Sequence, residues 1–213
     1  MSGEPPNPNT ISAGAIAMDF VKVFFATFAG AWSAFQIDKK HKEYKEKKQN
    51  FRAGKRAQFA LISQYQSLMA VKTQHLDQKK EENTRFMTLL PFSHFSSHQL
   101  VNIDSLLFIL DESDANLLNE LSVANQKFQS VLGLIEARNN VHISFQGRAA
   151  KIGIDQALDN STMAILKDFT DSLYESVDDS ISTNMELFEK LREFLKKYLP
   201  KGDPLKYIPE SSN

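Results

Sequence analysis

Cysteine is absent from this chain of 213 residues, and glycine and proline are scarce. Without cysteine the protein forms no disulfide, no thiolate zinc site and no cysteine nucleophile. Only one of the seven prolines, Pro91, lies between the two ends of the chain, so long uninterrupted helices are permitted. A regular alternation of polar and apolar residues is also lacking. These absences predict an all-α fold.

Net charge is also nearly absent, because 25 Lys and Arg residues face 26 Asp and Glu residues. Nucleic acid is therefore not an expected partner. The charges are unevenly distributed, with a basic stretch at residues 39–56 and an acidic one at residues 168–193. The length leaves room for one domain of ordinary size besides a membrane segment and two loose ends.

A long apolar run extends from Ile11 to Ile37 and predicts a transmembrane helix, because about 20 residues cross the hydrocarbon core. No Lys or Arg precedes Lys22, whereas a lysine cluster begins at Lys39. This asymmetry disfavours a cleaved signal peptide. By the positive-inside rule it places residues 1–10 outside as a short tail and the C-terminal body in the cytosol.

Two features of this run suggest assembly. Ala26, Gly30 and Ala34 lie four residues apart, and such small residues let two spanning helices approach closely. Asp19 and Lys22 lie one turn apart, either at the outer interface or as an intramembrane site. The second reading would make the assembled helices a small pore.

Residues 38–58 form a charged segment that predicts a helical neck continuing the span. Oppositely charged residues recur four positions apart, as in Asp38 and Lys42. The lysines would attract anionic lipid headgroups, or they are a topology signal alone. The lysines assigned to headgroups are Lys39, Lys40, Lys42 and Lys45.

Residues 59–199 predict an antiparallel helical bundle, because apolar residues recur at helical spacing, and residues 200–213 a flexible tail. The stripe running from Phe51 through Phe59 predicts one stalk helix reaching Arg85, with Gly54 as its weak point. The stripe from Leu117 to Ile135 predicts a second long helix, capped within residues 111–114, after a short apolar helix at 103–110. A further stripe includes Ile165, Phe169 and Leu173, and its helix begins near Ser161 and stops before Pro200.

The segment EARNNVH places Arg138 and His142 four residues apart on one helix face. The pair is similar to the arginine and histidine of HEPN-type ribonucleases, helical proteins that cleave RNA after dimerisation, although its spacing is short for them. The alternative is a buried, hydrogen-bonded cluster of Arg, Asn and His that fixes helix register. His94 and His98 lack a third ligand. We therefore expect no metal and no cofactor.

The segments FRAGKRAQF, residues 51–59, and EARNNVH together resemble uncharacterised bacterial single-pass membrane proteins with a cytosolic helical bundle. The resemblance covers most of residues 20–147 and implies a bacterial inner-membrane location, but no activity. The predicted function is a scaffold, sensor or effector that acts through protein contacts and self-association, rather than an enzyme. Its partners would be the bilayer, a second copy and an unidentified protein. The alternatives are a membrane-tethered HEPN-like ribonuclease and a pore.

Overall fold

A computed structural model of the protein describes residues 13–92, 100–111, 114–153 and 159–207, with backbone alone at residues 13–21 and 23. Its α-helices are α1 (Ala13–Val71), α2 (Arg85–Thr88), α3 (Phe108–Asp111), α4 (Ala115–Ile152) and α5 (Asn160–Tyr198). A π-helical turn spans Lys72–Leu76, and 3₁₀ turns span Asp77–Lys79 and Asp104–Leu106. No strand occurs within the described ranges, and the all-α fold is confirmed.

The chain divides into two compact units, Met1–Lys48 and Gln49–Asn213. In the first unit α1 exposes large apolar side chains, namely Phe24, Phe25, Phe28, Trp32, Phe35 and Ile37, each between 57% and 69% exposed. Within the described part of the chain, no helix combines the length and the apolar character that crossing a membrane requires. The predicted outer tail, residues 1–10, lies outside the described residues, as does the side chain of Asp19.

The second unit is a helical bundle in which α5 runs antiparallel to both other long helices. Along α4, Glu120 pairs with Lys190 of α5 at 2.9 Å, and Arg138 bonds Thr170. Rising numbers on α4 therefore meet falling numbers on α5. The same holds for α1 and the π turn that follows it, since Asn50 of α1 bonds Tyr198 and Lys72 of the turn pairs with Asp178. The bundle expected from the apolar stripes is confirmed.

Apolar side chains form two core clusters in this bundle. The first joins the 51–61 part of α1 to residues 101–124 and to the 187–195 part of α5. The second joins residues 68–92 to the 128–135 part of α4 and to the 173–177 part of α5. Polar residues lie in the core as well, among them Gln64, which bonds Asn125 at 3.3 Å.

The predicted stripe of α1 is only partly correct. Phe51 is buried as predicted, but other members of the stripe such as Phe59 are not, and the α-helix is shorter than predicted. Phe59 is 56% exposed, whereas Ala53, Ala57 and Ala60 are buried, because their small side chains let α1 pack closely against the bundle. The helix continues through Gly54 without a break. The α-helix ends at Val71 rather than at Arg85, and a π-helical turn follows at Lys72–Leu76, in which Leu76 is buried.

The predicted starts of the other two long helices agree more closely with the structure. Asp114 caps α4 by accepting a hydrogen bond from the Leu117 N–H. Asp159 caps α5, because its carboxylate accepts from the Thr162 N–H at 2.6 Å, so α5 begins one residue before Ser161. The predicted helix at residues 103–110 is instead a 3₁₀ turn followed by α3. Ile165 is 43% exposed and does not belong to the core face of α5.

Candidate functional site

The apolar stripe of α4 changes into a polar cluster at its C-terminal half. Phe128, Val131 and Ile135 are buried, and the next positions of the same face are Arg138, Asn139 and His142. Helical periodicity therefore carries these polar side chains into the interior. Arg138 is 0% exposed and His142 3% exposed.

Arg138 holds three main-chain and side-chain acceptors. Its Nη2 donates to the carbonyl of Phe86 at 3.2 Å and, at close range, to that of Leu89. Its Nε donates to Thr170 Oγ1 on α5 at 3.1 Å. A planar guanidinium suits this arrangement, because its donors point in fixed directions. Arg138 thus ties residues 86–89 to both α4 and α5.

Asn139 extends the attachment along the chain. Its Nδ2 donates to the carbonyl of Phe92 at 2.7 Å. The ring of Phe92 stacks on His75, with ring centroids 4.4 Å apart. Two neighbouring residues of α4 therefore clamp the segment 86–92, which we name the clamped segment, through its own carbonyl groups.

Residues of α5 also contact the part of the chain that precedes the clamped segment. Tyr174 donates its hydroxyl to the carbonyl of Leu76 at 2.7 Å. Arg85 lies over the Tyr174 ring, 4.6 Å from its centroid, and pairs with Asp171 at 2.6 Å. Burial raises the pKa of Tyr174, so its hydroxyl stays protonated and can donate.

Burial also sets the charge of the cluster. It lowers the pKa of Arg138 to about 10, which leaves the guanidinium charged at neutral pH. The pKa of His142 is lowered, first by burial and then by the charge of Arg138. The imidazole is therefore neutral at pH 7, and its Nδ1 has no hydrogen-bond partner among the described residues.

This geometry matches the structural reading of EARNNVH for Arg138 and Asn139, which are buried and hydrogen-bonded. His142 is buried too, but its Nδ1 has no hydrogen-bond partner among the described residues. A ribonuclease needs its histidine and arginine at a surface that RNA can reach, with the guanidinium free for phosphate. Here Arg138 is buried and bound to carbonyl groups. Sequence reasoning missed Thr170, although a threonine inside the apolar stripe of α5 was a signal. It could not have found the carbonyl partners, because every residue carries one.

The other predicted site residues lie on the first unit. Ala26, Gly30 and Ala34 are exposed, and a Cβ added to Gly30 would meet no atom within 4 Å. Lys39, Lys40, Lys42 and Lys45 are exposed as well. Lys42 pairs with Asp38 at 2.8 Å, and this hydrogen bond raises the pKa of Lys42. His94 and His98 lie outside the described residues.

Comparisons with protein-family models, with curated proteins and with solved structures yield no match.

Proposed function

We propose that the protein is a membrane-anchored helical scaffold that acts through protein contacts, with residues 11–37 as its anchor and residues 49–213 as its interaction body. The observation that carries this proposal is the row of exposed rings on α1. Phe24 stacks near Phe28, and Phe28 near Trp32, with ring centroids 6.4 and 6.5 Å apart. Such a contiguous apolar surface is costly in water and is typical of a membrane or protein contact.

The sequence around the rings supports a bilayer as the contact. Lys22 is the only charged residue between Phe20 and Ile37. A helix from Phe20 to Ile37 is about 27 Å long, close to a hydrocarbon core of roughly 30 Å, and residues 11–19 add further length. Lys22 would extend its ammonium group toward the interface.

The lysine cluster supports the orientation. Four lysines follow the apolar run directly, namely Lys39, Lys40, Lys42 and Lys45. The ion pair between Lys42 and Asp38 compensates one of these four positive charges. In a bacterial inner membrane this places the N-terminus outside and the body in the cytosol. The same lysines would contact anionic headgroups of the inner leaflet.

The side of α1 opposite the rings carries small residues that would allow self-association. At 100° per residue, Ala26, Gly30 and Ala34 point away from Phe24, Phe28 and Trp32. The rings would face lipid, while the small face would let a second copy approach closely.

Membrane extraction tests the anchor. We expect the full chain to stay with bacterial membranes after washing in sodium carbonate at high pH, and a chain lacking residues 1–37 to be released. The double variant Phe28→Glu, Trp32→Glu should be released too, because two carboxylates enter the apolar run. Tyr44→Glu, an exposed ring on the same helix, is the matched control and should stay. Release of the unaltered chain by carbonate would contradict a spanning anchor.

The absence of cysteine makes the orientation directly measurable. Single cysteines introduced as Ser2→Cys and Asp203→Cys can be labelled with a membrane-impermeant maleimide in spheroplasts. We expect labelling at position 2 in closed spheroplasts and at position 203 only after lysis. The reverse pattern would overturn the orientation.

Crosslinking in membranes tests self-association. Gly30→Ile should reduce dimer crosslinking, because a branched side chain separates two close helices. Ala31→Ile lies on the ring side and should leave crosslinking unchanged. Equal crosslinking in both variants would exclude the small face as the contact.

A further inference from the structure

The segment FRAGKRAQF, residues 51–59, has a buried side and an exposed side. Phe51, Ala53 and Ala57 are buried in the first core cluster, so this part of α1 is held firmly. On the other side Arg56 and Phe59 are exposed and Lys55 is half-buried. Packing in the bundle explains the residues of the buried side, but it does not explain the composition of the exposed side.

The outer side forms the floor of a groove of about 580 Å³. Lys55, Arg56 and Phe59 line it from α1. Leu100, Asn102, Ser105 and Leu205 line it from other parts of the bundle. A volume of this size falls in the range of small-molecule sites.

The wall facing α1 is held in place by hydrogen bonds. The backbone N–H of Ser105 donates to Asn102 Oδ1 at 3.2 Å, and the N–H of Leu205 donates to Gln58 Oε1 at 3.0 Å. Val101 bonds Asn125 of α4 through both its N–H and its carbonyl. The groove is therefore built on anchored chain segments.

The groove is cationic. No Asp or Glu occurs between Glu46 and Asp77, so α1 offers no acid that could pair with Lys55 or Arg56 at helical spacing. The residues that line the facing wall are uncharged. Among the described residues, neither cation forms an ion pair. An anionic group bound in the groove would form ion pairs with both Lys55 and Arg56.

The groove is apolar beside these cations. Phe59 is 56% exposed and Leu100 39% exposed, and Leu205 continues the same surface. An inorganic anion would leave these side chains in water, whereas an apolar group attached to the anion would cover them. The lining therefore matches a molecule with two parts.

We infer that this groove binds one amphiphilic anion, a phosphate or carboxylate head on an apolar tail. Lys55 and Arg56 bind the head through charge-assisted hydrogen bonds, and Phe59, Leu100 and Leu205 cover the tail. This site lies on the body alone, so it does not depend on the proposed membrane anchor.

Photolabelling of the full chain in nonionic detergent tests this site by position. The probe is a monoacylglycerol phosphate with a diazirine in its acyl chain, and mass spectrometry locates the label. We expect labelled peptides to contain Phe59 or Leu100, apart from any label on residues 11–37. Label confined to residues 11–37 would overturn the site.

Substitutions test the role of the cations. Lys55→Gln with Arg56→Gln should lower groove labelling roughly tenfold or more, because two charge-assisted contacts disappear. Lys39→Gln with Lys40→Gln removes the same charge elsewhere on α1 and should leave groove labelling unchanged. Equal groove labelling in both double variants would overturn the proposal.

A third variant guards against misfolding. Asn102→Asp keeps the oxygen that accepts from Ser105 and adds a negative charge to the wall, so it should also lower groove labelling. Thermal unfolding should stay unchanged in it. Full labelling in Asn102→Asp would contradict an anionic ligand.

Competitors define the ligand. Unlabelled monoacylglycerol phosphate or myristate should compete, and the stronger one identifies the head as phosphate or carboxylate. Zwitterionic monoacylglycerol phosphocholine with the same tail should compete at least tenfold more weakly. Equal competition by this zwitterion, or by inorganic phosphate alone, would overturn the amphiphilic anion.

Discussion

Residue size decides how close α1 and α5 can lie at Gly54. A Cβ built on Gly54 would lie 2.4 Å from Cδ2 of Leu195, and Leu195 is fully buried. Glycine inside a helix normally destabilises it by about 0.5–1 kcal/mol relative to alanine. Because Gly54 has no side chain, Leu195 can lie close to the backbone of α1 at this position.

Gly54→Val should lower the free energy of unfolding by about 1–3 kcal/mol, because it overpacks this contact. Urea unfolding followed by circular dichroism measures the change. Gly133→Ala is the matched control, since its Cβ would meet no atom within 4 Å, and it should stabilise the protein by about 0.5–1 kcal/mol. Wild-type stability in Gly54→Val would contradict the packing.

His142 should make stability depend on pH. Its pKa is lowered in the folded protein, so the unfolded chain binds the proton more readily. The stabilisation is therefore fully present above the unfolded pKa of about 6.5 and is lost as pH falls below it.

Urea unfolding between pH 5 and 8 measures this effect. We expect the free energy of unfolding to rise with pH, and to rise less in His142→Gln. His41→Gln removes an exposed histidine of α1 and should keep the wild-type slope. An identical slope in His142→Gln would show that the buried imidazole does not contribute.

At the scale of the elements, Arg138 and Asn139 hold an irregular segment against two helices. Arg138 and Asn139 of α4 donate hydrogen bonds to the carbonyls of Phe86, Leu89 and Phe92. Buried carbonyl groups outside regular structure need such partners. The clamped segment therefore depends on α4 rather than on its own sequence.

Arg138→Met should destabilise the protein by about 1–3 kcal/mol, because buried carbonyl groups lose their donor. Amide hydrogen exchange should become faster in residues 86–92 than in the first core cluster. Lys151→Met, an exposed position near the end of α4, should change neither quantity. Unaltered exchange in residues 86–92 of Arg138→Met would contradict the clamp.

The face of α1 shows why an apolar stripe can mislead. Large rings such as Phe59 dominate the sequence pattern, yet around Phe59 much of the buried face consists of the small side chains of Ala53, Ala57 and Ala60. Alanine adds little apolar area, but it lets backbones approach closely. Which of two faces is buried depends on the partner helices, and α1 alone does not specify them.

At the scale of the molecule, the two units differ in what supports them. Among the side chains that the structure describes, the members of both core clusters lie from Phe51 onward. Residues 49–213 therefore contain every buried apolar group of the described chain.

We expect a chain of residues 49–213 to unfold cooperatively with the urea midpoint of the full protein. Removing residues 49–61 as well should abolish this transition, because Phe51, Ala57 and Leu61 leave the core. Circular dichroism and urea titration measure both fragments. Loss of the transition in the fragment 49–213 would show that residues 1–48 support the bundle.

The sequence by itself determined the helical class, the long helices, the starts of α4 and α5 to within a few residues and the polar break at Arg138. These features are local, because periodicity, capping and chain breaks act within a few turns of one helix. It did not determine the end of α1 at Val71. The π turn that follows α1 contains Leu76, which packs in the second core cluster with residues of α4 and α5.

Only the tertiary structure decided which face of α1 is buried, what Arg138 binds and that Lys55 and Arg56 border a groove. Each of these depends on residues far apart in the chain. Main-chain carbonyls carry no sequence signature, and a groove exists only between packed segments. Local sequence specifies the helices, while contacts between helices specify the surfaces and the buried polar groups.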